Sequence, residues 1–373
     1  MLLQSRESRV ATQETYVPTL NHGLQVFFSR FVRASLRNPA QAFFFAATVV
    51  RQVLAMRRRE RFARAGLDVP PIIIFSITNR CNLRCKGCFA QAIRTGTPDE
   101  LSAVELRRII DEADDIGVSF VIIAGGEPLT RPEIVDIVGA FPRIIFLLVT
   151  NGLLLDASLI ARLKKQPNTI PVLSIEGNEA ETDDRRGKGV HERLRKRMSE
   201  LRHAGVFFSL SFTVNRMNFD TVTDSAFIED AITAGCGFFL FLEYTPIRAG
   251  TEEWVITETQ RRQMGDIVAR FRRRFRAVFI AVPWDETDVG GCLAAGRGFV
   301  HISPEGNLEA CPLAPFSDRS LRELPLRQAL KSPLLALLRE NHDTFDDTEG
   351  GCSLWKERER ISEMAAAQRG AKR

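Results

Sequence analysis

Between residues 71 and 250 the chain alternates between two patterns. Short apolar runs at 72–77, 120–124, 143–150, 171–175, 207–214 and 238–244 are bounded by turn residues. They have strand length and are apolar at successive positions, as strands covered on both faces are. Between them lie longer stretches with apolar residues at helical spacing, at 102–116, 132–141, 158–165, 191–204 and 223–234. Ser102 with Glu105 forms a capping-box signature at the start of the first. Strands alternating with helices predict an α/β fold with a parallel sheet of six strand–helix units. In parallel sheets of this kind the working residues stand at the C-terminal ends of the strands.

Outside this region the pattern changes. Residues 1–20 are polar. Residues 21–66 carry apolar positions such as Leu24, Phe27, Phe28, Phe31 and Val32 at helical spacing, with a break near Asn38-Pro39, and Pro70-Pro71 ends that segment. After Gly250 come an arginine-rich helix near 257–275, a strand at 277–282 and a region rich in glycine and cysteine. The expected organisation is a basic helical extension (1–70), an α/β domain (71–250) and a small α+β C-terminal domain (251–373).

Composition narrows the class. The 373 residues are 45% apolar and 26% charged, ordinary for a globular protein. The apolar stretch at 40–50 is too short to span a bilayer, and the first twenty residues lack a secretory signal. A cytoplasmic location is expected. The net charge of +5 is modest, but residues 1–70 concentrate eleven arginines against four acids. Such basic helices suit either packing against the α/β domain with solvated arginines, which is favoured, or peripheral contact with an anionic membrane. In the second arginine run, at 261–276, aromatics recur at core spacing. Nucleic acid is therefore not an expected partner.

The chemistry concentrates in Cys81, Cys85 and Cys88, separated by three and two residues just after the first strand. Seven cysteines in this length are too few, and odd in number, for a disulfide framework. Structural zinc takes four ligands, and no second close Cys or His pair follows. Three thiolates at this spacing suit an iron–sulfur cube with one iron left open. The segment Cys81-Asn-Leu-Arg-Cys-Lys-Gly-Cys88 resembles the radical S-adenosylmethionine (radical SAM) superfamily. The resemblance extends over residues 72–312 and implies that the six strand–helix units at 71–250 form a partial (β/α)6 TIM-like barrel. It implies a [4Fe–4S] cluster whose open iron chelates S-adenosylmethionine, and one-electron cleavage to a 5′-deoxyadenosyl radical.

Further segments carry the likeness. Gly125-Gly126-Glu127-Pro128 resembles the family's cofactor-binding turn, with Glu127 balancing the methionine ammonium. Thr150-Asn-Gly152 closes the third strand. Ser174 and Glu176 end the fourth, Arg186 follows in a run that suits a bidentate carboxylate contact, and Asn215 fits a ribose contact. Gly87 departs from the pattern, since many members place an aromatic there against adenine. Residues of the sixth strand are expected to supply that contact. Glu243 and Tyr244 finish the sixth strand and are expected to face the reaction chamber as proton acceptor or hydrogen donor.

Cys292 and Cys311 flank a Pro-x-Gly turn, and Cys352 follows later. The arrangement resembles a shortened SPASM or twitch domain holding a second iron–sulfur cluster, its fourth ligand open among Cys236, His301, a carboxylate, solvent and substrate. The whole reads as a radical SAM enzyme drawing electrons from a reductant such as flavodoxin or ferredoxin. Relatives with such domains modify ribosomal peptides or small molecules. No peptide-binding domain is expected in the N-terminal segment, which tilts the expectation toward a small-molecule or lipid-like substrate, with a peptide as the alternative. A non-catalytic iron–sulfur electron carrier is the competing class.

Overall fold

The computed structural model describes residues 30–31, 33–34, 39–93, 99–345 and 352–370. The expected lead-in at 1–20 and the helical positions Leu24, Phe27, Phe28 and Val32 lie outside them. One ten-stranded sheet organises the rest, in the order β10-β9-β8-β1-β2-β3-β4-β5-β6-β7. Strands β1 (Ile72–Ser76), β2 (Phe120–Ala124), β3 (Ile145–Thr150), β4 (Thr169–Ser174), β5 (Phe208–Val214) and β6 (Cys236–Glu243) run parallel in sequence order. The helices Ala103–Ile116, Ile134–Gly139, Ala157–Lys164, Val190–Ala204 and Ser225–Thr233 connect them. This is the expected partial barrel.

The sheet does not stop at residue 250. β7 (Val278–Val282) pairs parallel with β6, and β8 (Phe299–Ile302) pairs parallel with β1. β9 (Asn307–Glu309) and β10 (Arg319–Ser320) extend that edge antiparallel. Residues after 250 thus add strands to both edges of the barrel, and the division expected there falls inside one continuous sheet. The reason is local: β7 is apolar on both faces and β8 is apolar apart from His301, and both bury their faces by joining an existing edge.

Strand alternation sorts the side chains into two sets. One set, including Phe75, Ile123, Leu148, Phe212, Phe241 and Phe279, packs against the helices. The other, including Phe120, Ile145, Leu147, Ile170, Val172, Phe238, Leu240 and Val278, fills the interior toward the N-terminal strand ends. Phe31 and Phe45 complete this floor, with ring centroids 5.1 Å apart and Phe31 5.4 Å from Phe238. Phe45 belongs to the helix Pro39–Arg64, which Arg59 also anchors by donating to the Gly117 carbonyl (2.6 Å) and Ser119 Oγ (2.8 Å). The segment packs on the barrel through Phe45, as favoured, but Arg59, expected in solvent with the other arginines, is buried, and Phe43 faces out.

Replacing Phe45→Ala removes a fully buried ring from the floor and should cost ~3–5 kcal/mol. Phe43→Ala, on a ring 77% exposed, should change stability by less than ~0.5 kcal/mol. Urea unfolding of both variants measures the difference, and equal midpoints would remove the plug.

Candidate active site

The cysteine loop leaves the end of β1 and is held by backbone contacts. Gly126 N–H donates to the Thr78 carbonyl (2.7 Å) and Glu127 N–H to the Arg80 carbonyl (2.8 Å). A Cβ on Gly126 would lie 2.2 Å from that Arg80 oxygen, and one on Gly125 2.4 Å from the Thr78 oxygen. The two glycines therefore let the turn dock on the cysteine loop itself. Pro128 then starts a short 3-10 turn, Pro128–Thr130. Glu100 fixes the loop's base, with Oε1 accepting from Thr78 Oγ1 (2.9 Å) and Asn79 N–H (2.8 Å).

Glu127 is buried, and its carboxylate accepts from Thr150 Oγ1 (2.7 Å), Asn151 N–H (2.7 Å) and Leu129 N–H (3.1 Å). Burial raises its pKa, against the pull of these donors. The bonds tie the ends of β2 and β3 together and leave acceptor capacity on Oε2. Asn151 Nδ2 donates to Asn82 Oδ1 (2.7 Å) and reaches Cys81 Sγ at 4.0 Å, while Leu83 N–H points to the same sulfur at 3.4 Å.

The run around Arg186 is the C-terminal half of a helix, Glu179–Arg186, capped at Asn178 by a capping box. Lys86 N–H donates to the Arg185 carbonyl (2.9 Å), so this helix end sits on the cysteine loop. Arg185 Nη1 (2.6 Å) and Arg186 Nε (2.7 Å) both donate to Glu176 Oε1. The carboxylate that Arg186 holds is thus Glu176. Burial opposes the charge of Arg186, but Glu176 and the Cys85 thiol more than compensate and its pKa rises. Burial likewise pushes Cys85 up, and Arg186 pulls it back. A fixed guanidinium therefore stands beside the thiols. Among the described residues, buried Glu176 Oε2 has no hydrogen-bond partner, an arrangement that a cationic or hydroxyl-bearing ligand relieves. Three thiols with N–H donors, a fixed cation and an acceptor without a donor form a donor set that fits an iron–sulfur cluster with S-adenosylmethionine beside it.

Ser174 ends β4 on the interior-facing register, level with Ser211 on β5. Asn215 Oδ1 accepts from Met217 N–H (2.9 Å) and Asn218 N–H (3.2 Å), closing the turn after β5. Asn218, which sequence reasoning passed over, donates to the Glu176 carbonyl (2.8 Å).

The expectation that Glu243 and Tyr244 both face the chamber fails on strand alternation. Glu243 shares the register of Phe239 and Phe241, and its carboxylate pairs with Arg261 on the outer helix Glu258–Arg274. Tyr244 takes the inward register and donates to Thr251 Oγ1 (2.8 Å). Its ring stands 5.5 Å from Trp254, another residue missed from sequence. A Cβ on Gly87 would lie 2.6 Å from the Trp254 ring and 2.7 Å from the Tyr244 oxygen. Two aromatics from outside the loop thus stand over Gly87. No local signal links Trp254 to Gly87; only the fold brings them together.

A second group lies on the other flank. β8 and β9 form a hairpin around Pro304-Glu305-Gly306, with Cys292 before it and Cys311 after it. Cys311, Cys292 and Cys352 lie within electrostatic reach of one another, and burial raises the pKa of the first two. His301 is engaged elsewhere, with Nε2 2.8 Å from Ser76 Oγ and Nδ1 2.7 Å from Glu309 Oε2. Cys236 is buried at the start of β6, its thiol donates to the Phe238 carbonyl (3.1 Å), and burial pushes its pKa up to about 12. Both leave the roster of fourth ligands.

Gly126→Ala should abolish iron uptake on anaerobic reconstitution, because the added methyl displaces the backbone next to Cys81. Gly265→Ala, with nothing within 4 Å of the added Cβ, should load normally. Iron analysis of both reads the result, and full loading of Gly126→Ala would remove the docking role.

Comparison with known proteins agrees with this geometry. The Radical SAM superfamily description matches residues 75–232. The mycofactocin maturase MftC of Mycobacterium tuberculosis is 30% identical over 326 residues, covering 79% of this chain and 80% of the relative. The AdoMet-dependent heme synthase of Methanosarcina barkeri is 28% identical over 292 residues, covering 71% and 83%. The structure of Streptococcus suis SuiB bound to S-adenosylmethionine superposes with a TM-score of 0.61 at 19% identity, over 76% of this chain and 71% of that one. From the cysteine loop to the strand order, sequence and fold agree: the chain belongs to the radical SAM superfamily.

Proposed function

We propose that this radical SAM enzyme acts on a peptide, using the site at the C-terminal ends of β1–β6. When bound, the [4Fe–4S] cluster and S-adenosylmethionine supply a 5′-deoxyadenosyl radical that takes a hydrogen atom from the substrate. Cys81, Cys85 and Cys88 hold the cluster. Gly125 and Gly126 seat the loop that carries them, and Pro128 starts the turn behind it. Glu127 Oε2 and Glu176 Oε2 offer acceptors to the methionine ammonium and ribose, with Ser174 and Asn215 beside them. Arg186 balances the negative charge of the thiolates. The observation that carries this assignment is the convergence of the cysteine loop, Glu127 and the Arg186–Glu176 pair at one end of the sheet.

The adenine platform falls to Trp254 and Tyr244, which stand over Gly87. Cys292, Cys311 and Cys352 hold a second iron–sulfur cluster in a twitch-like unit that follows the barrel. A flavodoxin or ferredoxin supplies the electron.

Support for a peptide comes from the relative named a mycofactocin maturase and from a solved structure of SuiB bound to its precursor peptide SuiA, which shares the fold. The small-molecule reading has its own support in relatives named heme synthase. No described helix is long and apolar enough to cross a membrane. Peripheral contact, or a lipid-like substrate, would use the exposed Phe43, Val50 and Leu54 of the helix Pro39–Arg64.

Anaerobically reconstituted protein with dithionite and S-adenosylmethionine should release 5′-deoxyadenosine, and Cys85→Ala should release none. A loaded protein that releases none would be an electron carrier. Candidate precursor peptides should raise that release and lose hydrogen by mass spectrometry. Stimulation by iron porphyrins alone would favour the small-molecule reading.

Trp254→Ala should weaken S-adenosylmethionine binding about tenfold, within the range of base–aromatic stacking, while Trp254→Phe keeps most of it. Equilibrium dialysis against reconstituted protein measures both. Unchanged affinity in the alanine variant would place adenine elsewhere.

A further inference from the structure

We propose that Glu286 is the fourth protein ligand of the second iron–sulfur cluster, completing a three-thiolate, one-carboxylate set with Cys292, Cys311 and Cys352. This rests on the reading that those cysteines hold a cluster. The geometry supplies the rest. A cavity of about 220 Å³ is lined by Glu286 and Cys292 and by Ser353 and Leu354, which follow Cys352 in the chain, and Glu286 lies within electrostatic reach of Cys292 and Cys311. Glu286 is buried, in the turn Trp284–Val289 that leads into Cys292. Two bonds fix its position. Its carbonyl accepts from Gly291 N–H (2.9 Å), and its Oε1 accepts from Leu293 N–H (3.3 Å), the residue after Cys292. A carboxylate held by the backbone beside a first ligand is oriented as metal-binding carboxylates are.

The other groups near the cavity are committed elsewhere. His342 has Nδ1 3.1 Å from the Arg339 carbonyl and Nε2 2.8 Å from Asp343. Glu309 is paired with His301, and Cys236 stands at the far end of β6. Arg297 donates to the Cys292 carbonyl (2.7 Å), which holds the loop and brings a positive charge toward the acids and thiols. Among the described residues no three such groups already surround a single point. A cube does not require this, since it spreads its ligands over separate irons. Carboxylate oxygen is a harder donor than thiolate, so this corner differs chemically from the other three while remaining ligated.

The test uses the full chain with Cys81→Ala, Cys85→Ala and Cys88→Ala combined, so that only the distal site remains. After anaerobic reconstitution it should hold about four irons per chain and keep a four-iron cluster through mild ferricyanide oxidation. Adding Glu286→Ala should open one corner, lower the iron count by about a quarter after oxidation, and bring up the electron paramagnetic resonance signal of a three-iron cluster. Adding Glu286→Cys should restore the four-iron form, which separates lost ligation from lost folding. If Glu286→Ala retains four irons through oxidation, the carboxylate is not a ligand. If the triple variant binds no iron at all, the distal cluster fails and the assignment of Glu286 falls with it.

Discussion

The site depends on one close approach of two backbones. Gly126 and Glu127 donate N–H groups to the carbonyls of Thr78 and Arg80, and a methyl group at either glycine would collide with the cysteine loop. The loop has few apolar side chains of its own to hold it. Its conformation is imposed by the turn after β2, by Glu100 beneath it and by the helix Glu179–Arg186 above it. A loop anchored on three sides by backbone and carboxylate bonds presents its thiols with little remaining freedom, and less entropy is then lost when a cluster is taken up.

Charge follows the same economy. Glu127 accepts two hydrogen bonds at the end of β3 and one from Leu129 in its own turn, and Glu176 binds two arginines through a single oxygen. Each acid braces the scaffold with part of its carboxylate and retains acceptor capacity. The arginine pair neutralises one buried acid and still stands beside Cys85, which lowers the cost of gathering thiolates at a half-buried site.

Much of this was legible in the chain because its signals are local. The spacing of Cys81, Cys85 and Cys88, the Gly-Gly-Glu-Pro turn and the alternation of apolar runs with amphipathic helices each occupy a few consecutive residues. Contacts made only by the fold were not legible. Trp254 lies far along the chain from Gly87. Strand order is not written in β7 or β8, so their docking on opposite edges of the barrel looked like the start of a separate domain. Arg186 was expected to meet a carboxylate, but its competition with Arg185 for Glu176 needs the helix that sets both on one face. Glu243 was misplaced for a simpler reason. Adjacent residues of a strand point to opposite faces, so it could not share the chamber with Tyr244, and its register beside Phe241 directs it to Arg261.

The pairing of β8 with β1 also relates the two groups of cysteines. β1 ends at Ser76, just before the loop of Cys81, and β9 ends at Glu309, just before Cys311. Ser76, His301 and Glu309 join across these three strands in a buried chain of hydrogen bonds of 2.8 and 2.7 Å. Asn79 Nδ2 adds a bond to Glu305 in the hairpin turn (2.9 Å). Buried polar groups of this kind are costly unless satisfied, and once satisfied they tolerate only one register. A slip of the hairpin by one residue would turn His301 and Glu309 to the opposite face and strand Ser76. The hairpin flanked by Cys292 and Cys311 is thereby locked to the strand that leads into Cys81, and the spacing of these two stretches of chain is a property of the sheet.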